Sequence, residues 1–129
     1  MASTILVDAS FLIALERETA SRTVGPARNF LPKLRGHLLV VSVVTIEEVL
    51  EGAKDHDQAM EYLGRFVVQP IHIAHARRCA LTQQRSGKRM GENDAWLVAT
   101  AEVLDAAIVA KDRGAFERLG KRYLRFDAA

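Results

Sequence analysis

Four acidic residues lie where predicted strands and helices begin or end, and these are the side chains that could do chemistry. They are Asp8, Glu48, Asp94 and Asp112. Carboxylates brought together repel one another, by roughly 3 kcal/mol for each pair at about 5 Å and an effective dielectric of about 20. A cation relieves that repulsion, and ligands that are all oxygen select hard ions such as Mg²⁺ or Mn²⁺. Such an ion can activate a water for hydrolysis of a phosphodiester. The pattern therefore indicates a metal-dependent nuclease, provided that the four acids meet.

The elements predicted around the acids would bring them to one edge of a sheet. Asp8 ends a first short apolar run, and Asp112 follows the strand predicted at 106–110. Parallel strands share a carboxyl edge, and ligand sites of open α/β sheets lie there. A helix that follows a strand starts at this edge, which places Glu48 near it. The helix that leads into 106–110 must also start there, which places Asp94 nearby.

Helix starts are predicted at three residues with good capping side chains. We expect Ser10 to cap the first helix, Thr45 to open a capping box closed by Glu48, and Asn93 to cap the helix that carries Asp94. These local roles are also the ordinary alternatives to a metal site. Glu48 could serve only its capping box, and Asp94 could serve only the helix dipole. Asp112 could likewise be a turn residue.

Short β-rich runs alternate with helical patterns along the whole chain, which predicts βαβ units. We therefore expect one α/β domain over residues 1–129, with a central, mainly parallel β-sheet flanked by helices. Further strands are predicted at 38–43, within 67–71 and at 123–126. Further helices are predicted from Pro26, at 46–53, at 55–66 and at 74–85.

Composition supports an ordinary globular domain. Of the 129 residues, 49% are hydrophobic and 26% are charged, which excludes a disordered or fibrous chain. The longest apolar runs are too short to span a bilayer, and the N-terminus lacks the basic region of a secretory signal. The net charge of +2 is mild, so binding of a polyanion must be argued from local clusters.

The single cysteine, Cys79, cannot form an internal disulfide, so the expected location is the reducing cytoplasm. His72, His75 and Cys79 have spacings that could suggest zinc. A fourth ligand at suitable spacing is missing, so we interpret them as surface histidines and a buried thiol.

Basic residues surround two of the acids. They lie in the loop before Asp94 and on either side of Asp112, where they could contact the phosphates of RNA. They are Arg85, Lys88, Arg89, Lys111 and Arg113.

Taken together, these motifs make the sequence resemble PIN domains, and among them the VapC ribonuclease toxins of toxin-antitoxin pairs. The resemblance runs from Ile5 to about Phe126, and the segment 91–101 is its most specific part. It implies an endoribonuclease in which Asp8, Glu48, Asp94 and Asp112 hold Mg²⁺ or Mn²⁺. It also implies that Ser10 supports the site, a role we extend to Asn93. A homodimer and an inhibitory cognate antitoxin are the partners that it implies.

The family spacing from Ser42 to Gly52 selects Glu48 rather than Glu47 as the ligand. The sequence departs from the family at Ala110, where a Thr or Ser is usual, so a hydroxyl that would orient Asp112 is missing.

Two other functions compete with the nuclease. A PIN-fold RNA-binding or scaffold protein with weak catalysis is one, and Ala110 is its only hint. An aspartyl-phosphate enzyme or receiver domain is the other, since it also carries an Asp after its first strand. Ser10 instead of a second Asp argues against the phosphatase, and a late signature Lys is not evident.

Overall fold

The structure is a computed structural model that describes residues 3–111 and 114–127. Asp112 and Arg113 of the predicted site lie outside the described residues. The strands are β1 Thr4–Val7, β2 Leu38–Ser42, β3 Val67–Gln69, β4 Ala107–Ala110 and β5 Tyr123–Arg125. The α-helices are α1 Ala9–Ala20, α2 Pro26–Phe30, α3 Val43–Glu51, α4 His56–Leu63, α5 Ile73–Arg85 and α6 Glu92–Leu104. Two 3₁₀ segments cover Leu31–Leu34 and Gly114–Arg122.

The five strands form one sheet in the order β3-β2-β1-β4-β5, and every pairing is parallel. β1 lies in the middle, with Leu6 opposite Val40 on β2 and Val7 opposite Val109 on β4. The predicted α/β fold with a mainly parallel sheet is confirmed. Because the three central strands end at similar levels, the segments that follow them start at one edge.

Apolar side chains cover both faces of β1, as a strand buried in a parallel sheet requires. Val7 packs in one cluster with Phe11 of α1, and Leu6 packs in another with Leu97 and Val98 of α6. The helices are thus fixed on opposite faces. Within the described ranges, no helix has the length and apolar character needed to cross a bilayer.

The predicted caps of the first and third helices are wrong. α1 starts at Ala9 with Asp8 as its N-cap, so Ser10 already lies in its first turn. α3 starts at Val43, and its cap is Ser42, whose Oγ accepts a hydrogen bond from a backbone N–H. Thr45 is therefore inside the helix and opens no capping box. Both strands run almost directly into their helices, so the last extended residue becomes the cap.

The predicted cap of α6 is also wrong. The helix starts at Glu92, and the first of its backbone bonds runs from the Ala95 N–H to the Gly91 carbonyl. Asn93 lies exposed in the first turn. Glu92 and Asp94 place negative charge in that turn, which the helix dipole favours without a capping side chain.

The N-terminus of α2 is capped by a side chain from another helix. Glu18 of α1 accepts hydrogen bonds from the backbone N–H groups of Gly25 (2.8 Å), Ala27 (3.0 Å) and Arg28 (2.9 Å). A Cβ atom at Gly25 would lie 2.8 Å from the Glu18 carboxyl carbon, so glycine permits this approach. The contact joins the segment after α1 to the end of that helix.

We predict that Glu18→Gln lowers the free energy of unfolding at neutral pH by about 1 kcal/mol, the usual size of a capping contribution. Burial raises the pKa of Glu18, but the backbone donors of Arg28, Ala27 and Gly25 outweigh it and bring that pKa below its ordinary 4.5. A carboxylate with a lowered folded pKa stabilises the fold above its unfolded pKa, and this stabilisation is lost as the pH falls through the folded value.

Urea unfolding at neutral pH and at acidic pH measures the effect, with the exposed Glu16→Gln as the matched control on the same helix. The difference between wild type and Glu18→Gln should shrink in acid. Equal stability of the two variants at neutral pH would contradict the capping role.

Candidate active site

Asp8 is a buried carboxylate at the carboxyl end of the central strand, with only 1% of its surface exposed. Its Oδ2 accepts hydrogen bonds from the backbone N–H of Ser10 at 3.1 Å and from the Ser10 hydroxyl at 2.6 Å. The N-terminal end of α1 adds a favourable dipole. These contacts stabilise a charge that burial would otherwise disfavour, and they fix the orientation of the carboxylate.

The Ser10 hydroxyl also ties Asp8 to the end of β4. Its Oγ accepts a hydrogen bond from the backbone N–H of Lys111 at 2.9 Å, while the Asp8 N–H donates to the Val109 carbonyl at 3.1 Å. Ala110 has no hydroxyl, so Ser10 supplies one at this point. These two bonds hold the segment that follows β4 against the start of α1.

Glu48 is half-buried on α3, and its Oε1 is withdrawn from solvent. The adjacent Glu47 is exposed. α3 starts immediately after β2, at the edge where Asp8 is found, and Glu48 lies five residues into this helix. The difference in burial favours Glu48 over Glu47 as a component of a site at this edge.

Asp94 lies half-buried in the first turn of α6. Its Oδ2 lies 4.0 Å from the position that a Cβ atom on Gly91 would take, so the carboxylate turns back over the start of the helix. Because α6 leads into β4 from the far edge of the sheet, its first turn lies on the carboxyl side.

The structure thus positions Asp8, Glu48 and Asp94 on three elements that start at one edge. Their donor set of carboxylate oxygens fits a hard divalent cation. In the ranges 3–111 and 114–127, however, no three His, Cys, Asp or Glu residues come close enough together to hold a metal ion. Asp112, the fourth predicted ligand, is outside those ranges. His75, interpreted from the sequence as a surface histidine, is instead buried with 2% of its surface exposed, and Cys79 is buried as expected.

Sequence reasoning missed the unusual state of Thr45. Its side chain is completely buried, one turn before Glu48, and its Oγ1 has no hydrogen-bond partner among the described residues. A buried hydroxyl without a partner costs about 1 to 3 kcal/mol. Such groups in native proteins call for an explanation, and a functional site is one.

We predict that Thr45→Val raises the free energy of unfolding by about 1 kcal/mol, because valine keeps the shape and removes the unpaired hydroxyl. Thr100→Val is the matched control. Thr100 is also buried, but its hydroxyl donates to the Trp96 carbonyl at 2.7 Å, so its loss should not stabilise the protein. Chemical denaturation measures both. A Thr45→Val variant less stable than wild type would mean that the hydroxyl is hydrogen-bonded in solution.

The basic loop between α5 and α6 is held in place by Gln83. Its amide donates to the Met90 carbonyl at 3.0 Å and accepts from the Met90 N–H at 2.9 Å. Arg89 forms an exposed ion pair with Glu92. The four candidate RNA contacts in the described ranges are all exposed; they are Arg85, Lys88, Arg89 and Lys111.

Comparison with known proteins identifies the fold. A family model described as PIN domain matches residues 5–122. A toxin-antitoxin complex from Klebsiella pneumoniae contains a chain with a TM-score of 0.72 and 21% identity, over 93% of this chain and 98% of that one. VapC20 from Mycobacterium tuberculosis, described as a toxin that cleaves the sarcin-ricin loop, has a TM-score of 0.68 and 20% identity, over 90% and 95%.

A third similar structure is VapBC2 from Rickettsia felis, bound to a DNA fragment from its promoter. Its TM-score is 0.69 and its identity 14%, over 95% of this chain and 96% of that one. A search of the curated proteins found no significant match. At these identities the solved structures establish a shared fold.

Proposed function

Since this chain belongs to the PIN domain family, we propose that it is a metal-dependent endoribonuclease and the toxin of a VapC-like toxin-antitoxin pair. The observation that carries the proposal is the buried Asp8 carboxylate, which Ser10 orients at the edge of the sheet where α1 and α3 begin. Similarity to the chain of a toxin-antitoxin complex and to a toxin described as cleaving the sarcin-ricin loop supports it.

The proposed ligands of Mg²⁺ or Mn²⁺ are Asp8, Glu48, Asp94 and Asp112. When bound, such an ion would lower the pKa of a water and neutralise charge on the phosphate. The chain's own contribution is orientation: Ser10 holds Asp8 through Oδ2, and the Lys111 N–H holds Ser10. Carboxylates held in this way need little rearrangement when the ion binds. Asn93, exposed beside Asp94, would support the site from the solvent side.

The exposed cations are proposed to bind the RNA backbone. Arg85 ends α5, Lys88 and Arg89 lie between α5 and α6, and Lys111 follows β4. Arg113 would add a further charge. Contacts of this kind position a nucleic acid without reading its sequence, and they weaken as the salt concentration rises.

The proposed partners are a cognate antitoxin and a second copy of this chain. Similarity to chains found in toxin-antitoxin complexes supports the antitoxin. The homodimer rests on the family resemblance, and the proposed cytoplasmic location rests on the single cysteine. An antitoxin that covers the acidic edge would inhibit cleavage without any change in the fold.

We predict that cleavage of RNA requires Mg²⁺ or Mn²⁺ and is abolished by Asp8→Asn. Ser10→Ala should lower activity by about 10- to 100-fold, since it removes the group that orients Asp8. The measurement is cleavage of structured RNAs by purified protein with and without chelator. The exposed Asp57→Asn is the control, and circular dichroism checks the fold.

Undiminished cleavage in chelator, or by Asp8→Asn, would contradict the proposed mechanism. RNA binding without cleavage in either metal would instead favour the RNA-binding protein without turnover.

We predict that Glu48→Gln lowers the affinity for Mn²⁺ and the rate of RNA cleavage, and that Glu47→Gln leaves both within about 2-fold. The two side chains are neighbours of identical chemistry, but only Glu48 has an oxygen withdrawn from solvent. Calorimetric titration with Mn²⁺ and the cleavage assay measure the effects. A loss confined to Glu47→Gln would reverse the assignment.

A further inference from the structure

A small basic concavity lies between α5, α6 and the 3₁₀ segment Gly114–Arg122, outside the acidic site. It has a volume of about 170 Å³. Three guanidinium groups and one carboxylate line it, which gives the lining a net charge of +2. The lining residues are Arg78, Leu81, Thr82, Arg85, Glu102 and Arg118, and we call this feature the arginine pocket.

The single carboxylate is already used within the pocket. Arg78 donates to Glu102 through two nitrogens, at 3.1 Å and 3.4 Å. In the described part of the chain, neither Arg85 nor Arg118 forms an ion pair. The pocket therefore presents the charges of Arg85 and Arg118, unpaired within the described ranges, beside the Arg78–Glu102 ion pair, which is neutral as a whole.

Arg118 is held in position before any ligand binds. Its Nη2 donates to the Ser86 hydroxyl at 3.2 Å, and that hydroxyl donates to the Thr82 carbonyl at 2.8 Å. Ser86 directly follows Arg85 at the end of α5. This contact fixes the 3₁₀ segment against the end of the helix, and a guanidinium has further N–H donors for a ligand.

One end of the arginine pocket lies towards the acidic edge of the sheet, and the other end lies farther along α6. Arg85 ends α5, just before the loop that leads to Asp94. Glu102 lies eight residues beyond Asp94 along α6, which is about 12 Å at 1.5 Å per residue. An RNA strand with one phosphate at the acids could therefore pass over the pocket within a few nucleotides.

We propose that the arginine pocket binds a backbone phosphate of the RNA substrate, away from the bond that is cleaved. The inference rests on the proposed function and adds a binding site to it. Guanidinium groups match the oxygens of a phosphate in a planar, two-pronged geometry. A single phosphate fits a concavity of this size, and the pocket is on the same helix as Asp94. Free inorganic phosphate has the same oxygens, but unlike an RNA strand it cannot contact the pocket and the acidic site at once, so we expect it to bind more weakly.

The test measures RNA binding without cleavage, in an Asp8→Asn background. The probe is a fluorescein-labelled single-stranded RNA of about twelve nucleotides, titrated at several salt concentrations. Arg85→Gln and Arg118→Gln should each weaken binding about 3- to 10-fold and lower the salt slope by about 0.7, the value for one phosphate contact to a single strand. Arg118→Lys keeps the positive charge but loses the two-pronged hydrogen bonding of the guanidinium. Compared with Arg118→Gln, it should therefore restore the salt slope more fully than the affinity.

Arg77→Gln is the matched control, because Arg77 is an exposed cation of the same helix that does not line the pocket. Its effect should stay within about 2-fold. Inorganic phosphate at equal concentration should displace the RNA only weakly. If Arg77→Gln weakens binding as much as the pocket variants, the charge acts diffusely and the proposal is overturned.

Three further outcomes separate this proposal from the proposed function. Wild-type cleavage of RNA together with unchanged RNA affinity in both pocket variants would overturn the pocket and leave the nuclease intact. A loss of poly-L-glutamate binding in those variants, with RNA affinity unchanged, would overturn it in favour of an acidic protein partner. Absence of both RNA binding and cleavage in the wild type would overturn the nuclease itself.

Discussion

The burial of the Asp8 carboxylate at the end of the central strand is the constraint on which the rest of the structure depends. Removing an ionised group from water costs several kcal/mol unless hydrogen bonds and dipoles replace the solvent. Here the Ser10 backbone and hydroxyl and the N-terminus of α1 provide that replacement. Ser10 in turn needs the Lys111 N–H, so the position of Asp8 also fixes where the chain leaves β4.

The strand order makes this arrangement possible. β1 has β2 on one side and β4 on the other, so the segments that carry Glu48 and Lys111 start next to Asp8. α6 packs on the sheet through Leu97, Val98 and Ala101. It packs on α5 through Ala95 and Ala99, which are small and completely buried. That close packing brings the first turn of α6, with Asp94, to the same edge. The proposed site is therefore a consequence of the topology as much as of the residues that it contains.

Much of the fold could be predicted from the sequence, because each strand is a short apolar run bounded by polar residues. The parallel sheet followed from the alternation with helices, and the acidic edge followed from the sheet. The caps could not be predicted, since Thr45 and Glu48 satisfy a capping-box pattern as well as Ser42 satisfies a simple cap. Ser42 is the cap, and not Thr45, because α3 begins at Val43, directly after the end of β2.

The arginine pocket and the burial of the Thr45 hydroxyl could not be predicted from local sequence patterns, because both depend on tertiary packing. Arg78 and Arg118 are forty residues apart and approach each other only because α5, α6 and the 3₁₀ segment pack together. Burial of Thr45 depends on what surrounds α3, which its own sequence does not encode. Glu48 is the intermediate case: the family spacing selected it over Glu47, but only the structure shows that Glu48 is half-buried and Glu47 exposed.

We propose that Asp8, Glu48 and Asp94 share one divalent ion. Titration of isotope-labelled protein with Mn²⁺, followed by nuclear magnetic resonance, tests it most directly, since the ion broadens the signals of nuclei close to it. We expect the backbone amide signals of these three residues to broaden first, at less than one equivalent of Mn²⁺, and we expect Asp8→Asn to remove this selectivity. Broadening that starts at the exposed acids Asp55 and Asp57, or that spreads over the surface without preference, would contradict it.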